Sequence, residues 1–243
     1  MGKKEEKQFP LTSKNNCIIY LNRIISSCEK CMDRLKSYNK EGERLLLKYQ
    51  GKDVVSYEVY ANLMDKASNV ENYLLNLLGD AQSSSISYFK FRNVVSKRPV
   101  ADVKLAPLDS EVKNLLDDFN RMRNWQNHVP ESLLVAEMER VKYGEMFFPQ
   151  DPVEIINYRT VSYAYFNNMI EINKNFYKAA RKIIQVAKKD YSNIYGKSVM
   201  YSRVYTDQPL DLDKSIPAQK SAKVQGIKGN LLVQGHENKN KNP

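Results

Sequence analysis

Two long stretches of the chain, residues 15–50 and 153–192, carry apolar side chains in steps of three and four and contain no proline. This spacing places the apolar side chains on one face of an α-helix. Glycine and proline are scarce along the whole chain, which favours long helices over a sandwich or barrel. The pattern therefore predicts an all-α fold, a bundle of about five long helices around one core.

Turn residues and caps separate the predicted helices. We expect helices at 15–50, at 54–78, from an Asp109–Ser110 cap to Asn127, at 129–143, and from the Asp151–Pro152 start to Ser192. Residues 80–108 break the periodic pattern, and within them residues 86–95 predict either a short helix or an irregular connection.

The fifth predicted helix has a heptad-like apolar stripe. This spacing is typical of the core stripe of a bundle and of the seam of a dimer, and the sequence leaves both interpretations open. The stripe consists of Ser162, Tyr165, Met169, Ile172, Phe176, Ala179, Ile183 and Val186.

Composition divides the chain into three parts. Residues 1–14 are polar and charged and predict a flexible N-terminus. Residues 15–195 form the predicted helical bundle domain. Residues 196–243 predict an extended arm or short strand over 198–205, followed by a mobile basic tail with scattered proline, glycine and lysine.

Charge and hydropathy limit the classes of protein that this chain fits. The formal net charge of +10 suits a polyanionic partner, either nucleic acid or an anionic membrane. No apolar run approaches the length of a membrane span, and no apolar segment follows the charged N-terminus. We therefore expect a cytoplasmic protein with no membrane association.

Neither the cysteines nor any familiar catalytic motif in the sequence indicates a cofactor. Cys17, Cys28 and Cys31 fall on the apolar stripe of the first helix, which predicts burial, although the Cys28–Cys31 spacing also occurs in zinc and redox sites. Phosphate-loop, dinucleotide-binding, hydrolase and zinc-protease motifs are absent from the sequence. We predict no cofactor and no metal.

One segment, residues 121–128, gathers the residue types that cleave RNA. It holds one of the two histidines, the only tryptophan, two arginines and two asparagines, and Pro130 follows at once. Arginine binds a phosphate through two parallel hydrogen bonds, and histidine transfers protons near neutral pH. Together they suffice for attack of the RNA 2′-hydroxyl on its own phosphate without a metal.

The sequence Arg123-Asn124-x-x-x-His128 resembles the Arg–polar–x(3–5)–His motif of the HEPN superfamily (higher eukaryotes and prokaryotes nucleotide-binding). The resemblance implies a helical bundle, metal-independent ribonuclease activity and a homodimer that pairs two copies of the motif. The simpler interpretation makes His128 a C-terminal helix residue facing the helix dipole and puts Arg123 on a solvated face.

The chemistry predicts a role for each residue of the motif. His128 accepts the proton of the 2′-hydroxyl or donates one to the leaving 5′-oxygen. Arg123 binds the scissile phosphate, with Arg121 as the second choice, and Asn124 orients His128 or hydrogen-bonds the phosphate. The expected products are a 2′,3′-cyclic phosphate and a 5′-hydroxyl.

A run of basic residues in the fifth helix predicts contacts with RNA phosphates. Tyrosines lie between these residues and are able to stack on unpaired bases; the alternative is an ordinary solvated helix face. The predicted RNA-binding residues are Lys174, Lys178, Arg181, Lys182, Lys188 and Lys189.

These observations support two hypotheses about function. The first is a HEPN-type endoribonuclease, which by resemblance acts as a toxin or antiviral (abortive-infection) effector. Its expected partners are RNA, a second copy of the chain, and an antitoxin or regulatory protein. The alternative is a non-enzymatic helical binding or scaffold protein of a phage, plasmid or defence system.

Overall fold

The computed structural model describes residues 9–127, 134, 135, 138 and 157–208. Within these ranges the chain forms five α-helices and a two-stranded ribbon, which confirms the all-α prediction. Of the predicted helix at 129–143, residues 134, 135 and 138 are described and all three are helical, whereas the Asp151–Pro152 helix start lies outside the described residues. In chain order the elements are α1 (Lys14–Lys48), β1 (Val54–Ser56), α2 (Tyr57–Gly79), α3 (Tyr88–Lys97), α4 (Ser110–Asn127), β2 (Thr160–Ser162) and α5 (Tyr163–Tyr195).

Helix α1 supplies one long side of the core. It begins after Ser13, whose Oγ accepts the backbone N–H of Asn16 at 3.2 Å. Its three cysteines are buried and form no disulfide, as the core interpretation predicted, and burial raises the pKa of each thiol. Gly42 lets α1 approach α5 closely, because a Cβ there would lie 2.5 Å from Cδ1 of Ile170.

The ribbon holds the first turns of α2 and α5 side by side. Strands β1 and β2 are antiparallel, with Val55 opposite Val161. Two predictions are wrong here: residues 54–56 are strand rather than helix, and the fifth helix does not run through 157–162 but begins at Tyr163. The β-branched side chains of these short segments favour extended backbone, and Val55 is fully buried in the ribbon.

The buried stripe of α5 differs in phase from the predicted one over its first half. Phe166, Ile170 and Asn173 are buried, whereas Tyr165 and Ile172 are 49% and 56% exposed. Both faces carry apolar side chains in sequence, and the buried face is the one whose Phe166 and Ile170 pack against α1, β1 and α2. From Phe176 onward the predicted stripe is buried or partly buried: Phe176, Ala179, Ile183 and Val186.

Helix α3 resolves the alternative left open for residues 80–108, because part of that stretch is a short helix. A buried network fastens it to α5. The carboxylate of Asp190 accepts hydrogen bonds from the hydroxyl of Tyr88 at 2.7 Å, from Nε and Nη2 of Arg92 at 3.0 and 2.9 Å, and from the backbone N–H of Ala106 at 2.6 Å. Both carboxylate oxygens are therefore satisfied, and the connection after α3 is held against α5.

The chain divides into two units, residues 1–199 and 200–243. In the second unit, residues 200–208 are described and contain neither helix nor strand. Residues 198–205 thus form no strand, and the extended arm stays a prediction. The predicted flexible N-terminus and basic tail fall largely outside the described residues. Among the helices that the structure describes, none has the length and apolar character needed to cross a membrane.

Candidate functional site

Helix α4 positions the residues of the candidate motif against α2. It is capped by Asp109, whose Oδ1 accepts the backbone N–H of Val112 at 2.7 Å, as predicted. The helices approach closely at Gly79, where a Cβ would lie 2.6 Å from the carbonyl carbon of Phe119. Earlier residues of α2 contact later residues of α4, since Asn76 meets Arg123, so the two helices run antiparallel.

Arg123 is buried and ties α4 to the end of α2. Its Nη2 lies 3.1 Å from Oδ2 of Asp80, and its Nε donates to Oδ1 of Asn76 at 3.2 Å. Its Nη1 donates to Oδ1 of Asn124 at 3.2 Å. The side chain is only 10% exposed, so the structure places this arginine in a helix–helix contact rather than on a solvated face.

The opposite face of α4 presents the other members of the motif to solvent. The Arg121 side chain is 76% exposed and pairs with Asp118, one turn earlier on the same helix. Asn124 is exposed, and Trp125 is 58% exposed. Met122, expected in the core, is also exposed. Asn124 and Trp125 come three and four residues after Arg121, so the three side chains lie on one side of the helix.

His128 lies outside the described residues, so its predicted convergence with Arg123 lies there as well. What the structure describes is the helix that leads into it. Among the motif residues before His128, Arg123 is buried and connects α4 to α2, whereas Arg121 and Asn124 are exposed.

The six basic residues predicted to bind RNA share the outer side of α5, away from its buried stripe. Three of them pair with acidic residues: Lys174 with Glu43 at 3.1 Å and Glu171 at 2.8 Å, Lys188 with Glu29 at 2.6 Å, and Lys182 with Glu111. The pairs raise the pKa of Lys174 and lower that of Glu171. The remaining three, Lys178, Arg181 and Lys189, are exposed.

Sequence reasoning missed two polar side chains in the middle of α2, Glu71 and Asn72. Each has a buried oxygen, Oε1 and Oδ1 respectively, that accepts no hydrogen bond in the described structure. Burial alone raises the pKa of the Glu71 carboxyl from 4.5 to about 7. The available signal was position: Glu71 comes four residues after buried Ala67 and four before buried Leu75, on the apolar side of the helix.

Two shallow depressions lie on the described surface. One, of about 610 Å³, lies at the C-terminal end of α5 and is lined by Lys104, Leu105, Ser192, Asn193, Gly196, Lys197 and Ser198. Another, of about 460 Å³, lies beside the ribbon and is lined by Glu43, Leu46, Leu47, Gln50 and Tyr163. In the part of the chain that the structure describes, no group of three histidine, cysteine or acidic side chains is arranged to hold a metal ion.

Comparison with known proteins adds no relative: no family model, no curated protein and no solved structure matches this chain. The HEPN resemblance therefore depends on the Arg123–His128 motif alone.

Proposed function

We propose that this chain is a metal-independent endoribonuclease of HEPN type that cuts RNA at the C-terminal end of α4. The observation that carries the proposal is the exposed face formed by Arg121, Asn124 and Trp125 immediately before His128 in the chain. An arginine, an amide and an aromatic ring on one accessible face supply a phosphate contact, a hydrogen bond and a surface for base stacking.

The burial of Arg123 changes the assignment of roles within the motif. Its pairing with Asp80 would have to break before a phosphate took its place, and breaking a buried pair is costly. The Arg121–Asp118 pair is exposed, so a phosphate displaces Asp118 at little cost. We therefore assign phosphate binding to Arg121 and give Arg123 the role of holding the end of α4 in position.

In the proposed reaction the 2′-oxygen attacks the adjacent phosphorus and the bond to the 5′-oxygen breaks. His128 of one copy accepts the proton of the 2′-hydroxyl, and His128 of the second copy in the proposed homodimer donates a proton to the leaving 5′-oxygen. Arg121 stabilises the charge that develops on the phosphate oxygens. The products are a 2′,3′-cyclic phosphate and a 5′-hydroxyl. The exposed cations Lys178, Arg181 and Lys189 support the proposal by offering phosphate contacts on α5.

By the same resemblance, we propose that the cleavage serves a toxin or antiviral role. The proposed assembly is a homodimer, and an antitoxin or regulatory protein is the proposed partner that restrains it. Pairs with Glu43, Glu29 and Glu111 already occupy three of the six lysines and arginines of α5, so the proposed RNA contacts centre on the other three.

The deciding experiment incubates the purified full chain with single-stranded RNA in excess EDTA and identifies the ends of the products. His128→Ala and Arg121→Ala should each reduce cleavage by at least about 100-fold, while Arg23→Ala, which removes an exposed arginine from α1, should cut at the wild-type rate. A folded wild-type chain that leaves RNA intact, or needs a divalent ion to cut it, would contradict the proposal.

One observation favours the second candidate, a non-enzymatic helical binding or scaffold protein. Tyr165 and Ile172 lie on one face of α5 and are about half exposed, although their spacing continues the core stripe. If the folded chain cuts no RNA and Ile172→Asp abolishes its self-association in sedimentation velocity, the scaffold function replaces the proposed ribonuclease function.

A further inference from the structure

The depression at the C-terminal end of α5 is lined by basic and neutral side chains. Within the described residues its lining contains no acidic side chain. Asp102, two residues before Lys104, is not part of the lining, and Asp190 is buried with a carboxylate that already accepts four hydrogen bonds. Such a lining favours an anion. Its polar members are Lys104, Ser192, Asn193, Lys197 and Ser198.

The two walls of the depression come from distant parts of the chain and are held together by the core. One wall belongs to the connection after α3 and the other to the end of α5 and the residues that follow it. The backbone N–H of Ala106 donates to Asp190 at 2.6 Å, and its carbonyl accepts a hydrogen bond from Arg92. Leu105 and Val199, one from each wall, both pack against the main hydrophobic cluster. The depression is therefore present in the folded chain before any ligand binds.

The two lysines of the lining do not cap α5. Basic side chains near a helix C-terminus commonly donate to its last carbonyls. In the described structure neither Lys104 nor Lys197 donates a hydrogen bond or pairs with an acidic group, and Nζ of Lys197 lies 5.3 Å from the centroid of the Tyr195 ring. The backbone N–H of Gly196 caps the helix instead, donating to the carbonyl of Ser192 at 2.9 Å. Both ammonium groups are thus available to an external anion.

The depression also continues the basic outer side of α5. Asn193 comes one turn after Lys189, and Lys189 comes three turns after Lys178, so the three side chains share one side of the helix. All three are exposed. A polyanion that contacts the exposed lysines of α5 therefore reaches the depression at the end of the helix. This continuity favours a nucleic-acid strand over a small free anion.

We propose that the depression binds a phosphate of single-stranded RNA. Lys104 and Lys197 neutralise its charge, since an ammonium group binds phosphate as a point charge. The hydroxyls of Ser192 and Ser198 and the amide of Asn193 donate hydrogen bonds to its oxygens. The inference rests on RNA as the substrate in the proposed function, but it requires no cleavage at this place.

The test measures the affinity of the full chain for fluorescein-labelled oligothymidylate by fluorescence anisotropy at several salt concentrations. This strand has no 2′-hydroxyl, so binding is separated from cleavage. Lys104→Ala combined with Lys197→Ala should weaken binding about 10-fold and reduce the slope of log affinity against log salt by about 0.7, because one phosphate fewer is neutralised. Lys36→Ala combined with Lys66→Ala removes two exposed lysines from α1 and α2 and should weaken binding less than about 2-fold.

A second pair of variants adds one negative charge at two places on α5. Asn193→Asp puts a carboxylate into the depression and should weaken binding about 10-fold at low salt. Asn168→Asp adds the same charge at an exposed position about 37 Å away along the helix and should change the affinity less than about 2-fold. Thermal melts close to wild type check that all the variants are folded.

The outcomes separate this site from the cleavage reaction. Equal affinities of the depression variants and their controls would overturn the proposal. Calorimetric binding of inorganic phosphate that is lost in the Lys104→Ala, Lys197→Ala chain, with strand affinity unchanged, would assign the depression to a small ligand and also overturn it. If the wild-type chain binds the strand through these lysines but leaves RNA uncut, the site is supported and only the ribonuclease function is contradicted.

Discussion

Two buried arginine–aspartate pairs hold this bundle together, and their surroundings differ. Asp190 on α5 meets Arg92, Tyr88 and the N–H of Ala106, so every polar atom of its carboxylate has a donor. Asp80 at the end of α2 meets Arg123, but between two and three turns earlier on the same helix are the unpaired oxygens of Glu71 and Asn72. The first region is built for stability alone. The second combines a similar tie with side chains that lower stability, and it adjoins the candidate motif.

The largest effect should come from breaking the fully satisfied pair. Asp190→Ala leaves the Tyr88 hydroxyl and the Ala106 N–H buried without an acceptor. It also leaves the buried Arg92 charge without its counter-ion, with only the carbonyl of Ala106 as an acceptor, so we expect a loss of about 4 kcal/mol in the free energy of unfolding. Urea denaturation measures it. The double variant Asp190→Leu with Arg92→Met should regain much of the loss, and a cost below about 1 kcal/mol for Asp190→Ala would show that the network contributes little.

A somewhat smaller effect should follow from removing the tie between α4 and α2. Arg123→Ala should lower the free energy of unfolding by about 3 kcal/mol, because Asp80 remains buried but keeps the N–H of Gln82 as a donor. The matched variant Arg121→Ala removes an exposed ion pair and should change stability by less than about 0.5 kcal/mol. Equal effects of the two substitutions would contradict the division of the motif into a buried and an exposed arginine.

The third effect should depend on pH. The Glu71 carboxyl has a pKa of about 7 in the folded chain and an ordinary value of 4.5, so the unfolded chain releases the proton first as pH rises. Wild-type stability should therefore fall between about pH 4.5 and 7 and stay lowered above that range. Glu71→Gln should be more stable than wild type by about 2 kcal/mol at pH 8 and equal to it near pH 4. Thermal melts at the two pH values measure this, and a difference that does not vary with pH would exclude titration of Glu71 as the cause.

The periodic spacing of apolar residues predicted most of the helices, because this spacing can be read from residues that are close together in the sequence. The bounds of α1, α2 and α4 agree with the apolar stripes to within a few residues. The ribbon was missed because each strand is three residues long and directly precedes a helix, so its β-branched residues looked like the first turn of that helix. The early part of the α5 stripe was assigned to the wrong face because both faces carry large aromatic and aliphatic side chains. Phe166 and Ile170 are the buried pair, in a cluster with Leu45 of α1, Val55 of β1, and Leu63 and Met64 of α2.

The candidate site was less accessible to sequence reasoning, for a different reason. The burial of Arg123 depends on Asp80 and Asn76, which lie on another helix and have no recognisable spacing from it. Glu71 did carry a local signal, a charged residue among apolar ones on α2, but the absence of a donor for its carboxyl is a property of the packed bundle. A sequence motif identifies residue types, but the packing of the folded chain determines which of those side chains are exposed to a substrate.

The pairing of β1 with β2 also constrains the order in which the chain folds. The two strands lie at opposite ends of a segment that contains α2, α3 and α4. Their pairing therefore closes a very long loop and gains only a few hydrogen bonds. Closing such a loop costs conformational entropy that so small a sheet does not repay before the helices have condensed. We therefore expect the hairpin of α1 and α2 to form early and the ribbon late, with the ribbon amides among the first in the folded core to exchange with deuterium.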